Sequence, residues 1–177
     1  MSMKRLYTIL IFAAMTVLAL AIVMAQNPPQ PQPGPEIKKL DYFAGNWKSE
    51  GEMKPSPFGP GGKLSGSDHN EWMQGGFFLL SHSANTSAMG SETGLGIFGY
   101  DAQNKVYTFD EFNSTGETVH AKGTIAGDTW TWTSEDQNGK GRFTVKILSP
   151  TSYSFKFELA SKGSDFITLV EGKATKQ

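Results

Sequence analysis

The chain has no cysteine. Disulfide staples and thiolate chemistry are therefore excluded, and stability has to come from packed side chains. Histidine is nearly as scarce, with three in 177 residues and none after His120. There is no block of like charge and no basic stripe, which argues against a nucleic-acid partner. The Gly-x-Ser-x-Gly elbow that presents a nucleophilic serine is missing. Gly94-Leu95-Gly96-Ile97-Phe98-Gly99 has the spacing of a dinucleotide fingerprint, but it opens no helix and is rejected as one. From Trp47 to Lys176 no helix interrupts the strand-like cadence of the chain.

Short strand-like runs fill that region. Apolar and polar residues alternate in Trp130-Thr131-Trp132-Thr133, in Phe143 to Ile147 and in Tyr153 to Leu159. A period of two means one buried and one wet face. Turn signals separate the runs at Gly75-Gly76, Asp101 to Asn104, Gly127-Asp128, Asn138-Gly139 and Ser149-Pro150. A meander this regular is expected to close on itself, because closure removes unpaired strand edges. The fold class is therefore all-β: an antiparallel up-and-down β-barrel of about nine to ten strands, preceded by a short helical turn.

The N-terminus reads as an export signal. Lys4 and Arg5 precede an apolar run from Leu6 to Met24, and Val23 and Ala25 supply small residues at −3 and −1. The expected organisation is a signal peptide over 1–25, a Pro-rich linker over 26–36 and a barrel domain over 37–177. Uncleaved, the apolar run is long enough to span a bilayer. Cleaved, it leaves 14 basic against 17 acidic groups, a net charge of −3. The expected location is periplasmic or extracellular, with a membrane contact only if the segment is retained. The sequons at Asn85 and Asn113 matter only in a eukaryotic host.

Turn chemistry fixes register, so face assignments pass from one hairpin to the next. A two-residue turn at Asn138-Gly139 sets Trp132 opposite Val145 and Trp130 opposite Ile147. A turn at Gly127-Asp128 sets Ile125 opposite Trp130 and Gly123 opposite Trp132. A five-residue loop around Ser149-Pro150 brings Ile147 to Tyr153. Further back, a loop at Asn113 to Thr115 pairs Tyr107 with Ala121 and Glu111 with Glu117. The loop ending at Asn104 pairs Tyr107 with Gly99. The expected interior face then carries Tyr107, Trp130, Trp132, Tyr153, Phe155 and Phe157, which line an apolar pocket or fill a solid core. The Trp N–H and Tyr O–H groups would orient a ligand there. With more than eight strands a cavity is the expected outcome.

Three polar groupings compete with that reading. Gly75-Gly76 as a turn sets His69 opposite His82, with Glu71 two residues along on the same face. Those are donor types for zinc, for acid–base work or for orienting a ligand. Exposed histidines on a wet strand face explain them as well, so no metal site and no catalytic residue are assigned. Glu111 and Glu117 form a carboxylate pair, which a barrel mouth explains equally well. Asn85 to Glu92 reads as a long Ser-rich loop, either a flap over the mouth or a plain connection.

The segment Ile37 to Trp47, an amphipathic turn followed by Gly45-Asn46-Trp47, resembles the lipocalin superfamily in the wide sense, the calycins. That resemblance implies a Trp47 packed at the closed end of the barrel beneath a basic residue from a late strand, for which Arg142 and Lys173 are the candidates. Gly45 to Gly51 is also similar to the opening of nitrobindin-like haem barrels, with Ser49 in place of a glycine. The late haem-ligating histidine of that group has no counterpart here. The nearest likeness, from about Leu40 onward, is to a secreted bacterial family known only as a domain of unknown function. It rests on the Gly-x-Trp start, on Trp72 to Phe78 and on Ile97 to Asp101, and it implies a fold and no activity. Taken together, the sequence points to an exported, non-enzymatic barrel that binds a small hydrophobic or amphipathic ligand. The alternatives are a cavity hydrolase or isomerase using His69, His82 and Glu71, and a solid-core structural or partner-binding module. No cofactor and no oligomeric state is assigned.

Overall fold

The computed structural model describes residues 30–57 and 59–177. The expected signal peptide and the first linker residues lie outside them. The chain forms a one-turn helix α1 (Pro35–Lys38) and a 3-10 turn η1 (Lys39–Phe43). Ten strands follow: β1 (Gly45–Met53), β2 (Gly62–Trp72), β3 (Leu79–Ser87), β4 (Gly90–Asp101), β5 (Val106–Asn113), β6 (Thr118–Ala126), β7 (Thr129–Glu135), β8 (Gly139–Ser149), β9 (Ser152–Ser161) and β10 (Ile167–Lys176). Every pair is antiparallel, each strand meets its sequence neighbour, and β1 meets β10 to close the barrel. Closure satisfies the backbone donors and acceptors of all ten strands, which an open sheet of this size would leave bare at both sides.

Alternation decides which residues face inward. Trp130 and Trp132 are buried while their neighbour Thr133 is exposed. Ile125 opposes Trp130, Gly123 opposes Trp132 and Ile147 opposes Tyr153, as turn chemistry predicts. The last pairing is reached by a different device. Ser149 opposes Ser152 across a tight turn, and a bulge between Ile147 and Ser149 absorbs the extra residue.

Other expected registers need correction. The β7–β8 turn is Gln137-Asn138, one residue earlier than expected, because Asp136 accepts hydrogen bonds from the backbone N–H groups of Asn138 and Gly139 (2.7 and 3.0 Å). Trp130 therefore opposes Val145, and Trp132 opposes Phe143. The inward face survives, because the slip moves each partner by two residues. The β5–β6 turn also moves by one residue, with Gly116 at φ +87°, so Glu111 opposes Val119 and not Glu117. Tyr107 opposes Tyr100, not Gly99, since the β4–β5 turn runs through Lys105 in the left-handed region (φ 55°). That single-residue change turns Phe98 and Tyr100 inward. Finally, no flap spans 85–92: Asn85 pairs with Glu92 and the strands continue to Ser87 and Gly90.

One end of the barrel is sealed. Leu40, Ile37 and Phe43 from α1 and η1 are buried and join Leu79, Tyr107, Trp130, Trp132, Val145 and Phe155 in one core. Phe43 packs edge-on against Trp130 (5.1 Å between ring centroids) and Tyr153 (5.9 Å). The walls also grip this plug through hydrogen bonds. Trp47 Nε1 and Asn70 Nδ2 donate to the Phe43 carbonyl (2.8 and 2.7 Å), and Trp72 Nε1 donates to Asp41 (2.8 Å). Tyr107 Oη donates to the Glu36 carbonyl (3.0 Å), and Tyr42 Oη to the Ser149 and Ser152 carbonyls. Aromatic edges supply packing area while their polar tips satisfy carbonyls that a short helical segment leaves free.

Candidate functional site

The plug occupies the end where odd strands begin and even strands finish. At the other end, inward-facing side chains are only partly buried. Leu64, Asp68, Ser83, Asn85, Glu92 and Glu111 come from β2 to β5, and Phe143, Phe157 and Val170 from β8 to β10. In a ten-membered ring those two groups of strands face each other across the interior. One wall is polar and built of small residues, and the opposite wall is aromatic and aliphatic. Small residues on one side leave room for bulk or for a guest on the other.

Asp68 is the central polar group. It opposes Trp47 on one side and Ser83 on the other, and Ser83 opposes Gly94. A Cβ at Gly94 would lie 2.7 Å from Ser83 Oγ and 2.9 Å from Glu111 Oε1, so the Glu111 carboxylate rests over this glycine, beside Ser83. Burial pushes the Asp68 carboxyl up to about 6. Glu111 is raised by burial first, then by the fields of Glu92 and Asp68. The Tyr153 hydroxyl is also raised, chiefly by burial and then by the field of Asp68. Asn70, the next inward residue along β2 toward the plug, is buried, and its Oδ1 has no hydrogen-bond partner.

The residues singled out in the sequence separate into three places. Trp130, Tyr153 and Tyr107 belong to the sealed end, where they pack on Phe43 and on one another. Trp132 and Phe155 form the floor between sealed and open halves: Trp132 stacks beside Trp130, and Phe155 beside Phe143. Phe157 lies in the open half, opposite Phe143. His69, Glu71 and His82 form the third group. His69 does oppose His82, but all three side chains are exposed on the outer face, so none lines the interior. The physical reason is parity: Trp72 packs inward, which turns Asp68 and Asn70 inward and His69 and Glu71 outward. His69 Nδ1 lies 2.7 Å from Asn46 Oδ1, and Glu71 is 3.9 Å from its Nε2. Among the described residues no group of three or more His, Asp or Glu side chains could hold a metal.

Trp47 is buried (1% exposed) at the closed end, where the resemblance puts it. Its cation is Lys176, with Nζ 5.5 Å from the indole, and neither Arg142 nor Lys173 covers it. Arg142 instead donates to Glu158 (2.7 Å) and stacks on Phe166 (4.1 Å) outside the barrel, and Lys173 is exposed.

Sequence comparison over residues 32–175 decides the family. The chain belongs to DUF1579, a family described as proteins of unknown function. No curated protein matches it in sequence. Among solved structures, the barrel is similar to Rv2717c from M. tuberculosis, with a TM-score of 0.61, 12% identity, and coverage of 81% of this chain and 98% of that one. It is also similar to the S-type phycobiliprotein lyase CPES from Guillardia theta, with a TM-score of 0.59, 7% identity, and coverage of 79% and 91%. At such identities the likeness shows a shared fold.

Proposed function

We propose that this DUF1579 protein is an exported, non-enzymatic, lipocalin-like barrel that holds a small hydrophobic or amphipathic molecule in the open half of its interior. The observation that carries this reading is the contrast between the two halves. One end is sealed by a packed aromatic plug, and the other keeps inward-facing aromatic and polar residues partly exposed. Concave, mostly apolar sites with a few convergent polar groups are where small ligands bind. The N-terminal reading as an export signal supports delivery to an oxidising compartment, where a cysteine-free fold neither gains nor risks disulfides. A non-enzymatic role accords with the outward placement of His69, His82 and Glu71, which leaves no acid–base pair of histidine and carboxylate in the interior.

The test is a titration of the purified protein with retinol, read by tryptophan emission. A saturable, one-to-one change is expected, and Trp132→Phe should remove most of it, since Trp132 borders the open half while Trp130 is shielded by the plug. An emission that drifts without saturating, or a response lost equally in a Trp130→Phe variant, would count against the cavity.

A further inference from the structure

The open half has an electrostatic peculiarity. Its inward-facing charges are Asp68, Glu92 and Glu111, all of one sign. The only inward cation among the described strand residues is Lys176, which sits at the sealed end over Trp47. Neither Asp68 nor Glu111 takes part in a hydrogen bond or ion pair among the described residues, and each is partly buried. Two residues along β2 toward the plug, the buried Asn70 Oδ1 is a third acceptor, without a donor among the described residues. A buried acceptor such as Asn70 Oδ1 is rarely left unpaired, and a carboxylate half-withdrawn from water holds its charge at a cost. A ligand carrying donors and positive charge would satisfy all three.

Resting on the reading of the barrel as a carrier, we propose that its ligand is a cationic amphiphile. It would carry a protonated nitrogen centre, held between Asp68 and Glu111 with an N–H directed at Asn70 Oδ1, on an apolar or aromatic body laid against Trp132, Phe143 and Phe157. A metal ion would use the same charges. However, Asp68, Glu111 and Glu92 do not assemble a coordinating group, as no set of three or more donors among the described residues could hold one. The opposing aromatic wall also suits an organic cation, through both apolar contact and the ring quadrupole. Ser83, between the two carboxylates, supplies a hydroxyl that can accept from the same nitrogen.

Three probes of equal chain length separate the alternatives: decylammonium, decanol and decanoate, each titrated calorimetrically against the full protein near pH 8. Decylammonium should bind about tenfold or more tightly than decanol, a difference on the order of 1.4 kcal/mol, with decanoate weakest. Asp68→Asn and Glu111→Gln should each bring decylammonium toward the affinity of decanol and leave decanol unchanged. Both substitutions keep shape and remove an unpaired charge, so both variants are expected to fold. The decylammonium preference should also shrink as the pH falls through about 6, where Asp68 takes up its proton, and Glu111, likewise raised by burial, loses charge in the same direction; Glu92 and Tyr153 are the other titratable groups facing them. Equal binding of the three probes, or tightest binding of decanoate, would overturn the cationic assignment while leaving the carrier reading standing. If none of the three binds and retinol also fails, both readings fall together.

Discussion

At the scale of single residues, Asp68 carries the sharpest prediction. Its carboxyl is raised to about 6 by burial, from 3.8 for an ordinary aspartate. The folded state therefore holds its proton to higher pH than the unfolded chain does. Between those values folding takes up a proton, so stability falls as pH rises and levels off above about 6. Asp68→Asn removes that dependence. Urea titrations should show the variant gaining on the parent by on the order of 2–3 kcal/mol near pH 8, with the advantage vanishing near pH 3. An equal gain at both pH values would show that burial of the charge is not the cause. This residue was legible only in part. The sequence gives two competing apolar faces around Trp72, Met73, Leu79 and Leu80, and the nearby histidines draw attention from an aspartate between Ser67 and His69. Once Trp72 is inside, Asp68 follows by parity. Lys176 escaped for another reason. Its partner Trp47 lies on β1, and no turn joins β1 to β10, so turn chemistry cannot carry a register between them. Arg142 looked suitable as the lone arginine of the barrel sequence, but Glu158 and Phe166 claim it.

At the scale of elements, hairpins were legible where a glycine turn has one reading and shifted where a side chain intervenes. Gly127-Asp128 gave the β6–β7 pairing directly. Asn138-Gly139 did not, because the Asp136 carboxylate caps the turn one residue early. The inward set survived slips of two and failed after a slip of one, which is why the β4 assignment of Gly99 had to be replaced by Tyr100. The plug was foreseen as a helical turn, but its grip on the walls depends on contacts distant in sequence. Phe43 is the keystone: it touches Trp130, Tyr153 and Tyr42, and its carbonyl accepts from two strands. Phe43→Ala should cost about 3–5 kcal/mol in chemical unfolding and shift tryptophan emission to the red as water reaches Trp130. A loss under about 1 kcal/mol would mean the walls hold their geometry without the plug.

At the scale of the whole molecule, the ring of ten strands follows from composition alone: alternating runs, no helical period after the first turn, and enough aromatic area to fill one end. What composition could not reveal is that inward-facing residues at the end away from the plug stay only partly buried. The last strand adds a kinetic consequence. The Gln177 amide donates to the Asn46 carbonyl, and Trp47 faces Lys176, so the first strand waits for the final residues of the chain before its second flank is satisfied. Such a join, spanning nearly the full length of the polypeptide, is entropically the most expensive one to make and belongs late in assembly. A chain made N-terminus first must stay unzipped on that side until β10 is available. Ending the protein after Asp165 should therefore produce soluble oligomers or precipitate by size-exclusion chromatography, whereas a monomeric product with native near-ultraviolet dichroism would show that the seam is dispensable. In the intact molecule, arrival of the last strand is itself the trigger for zipping.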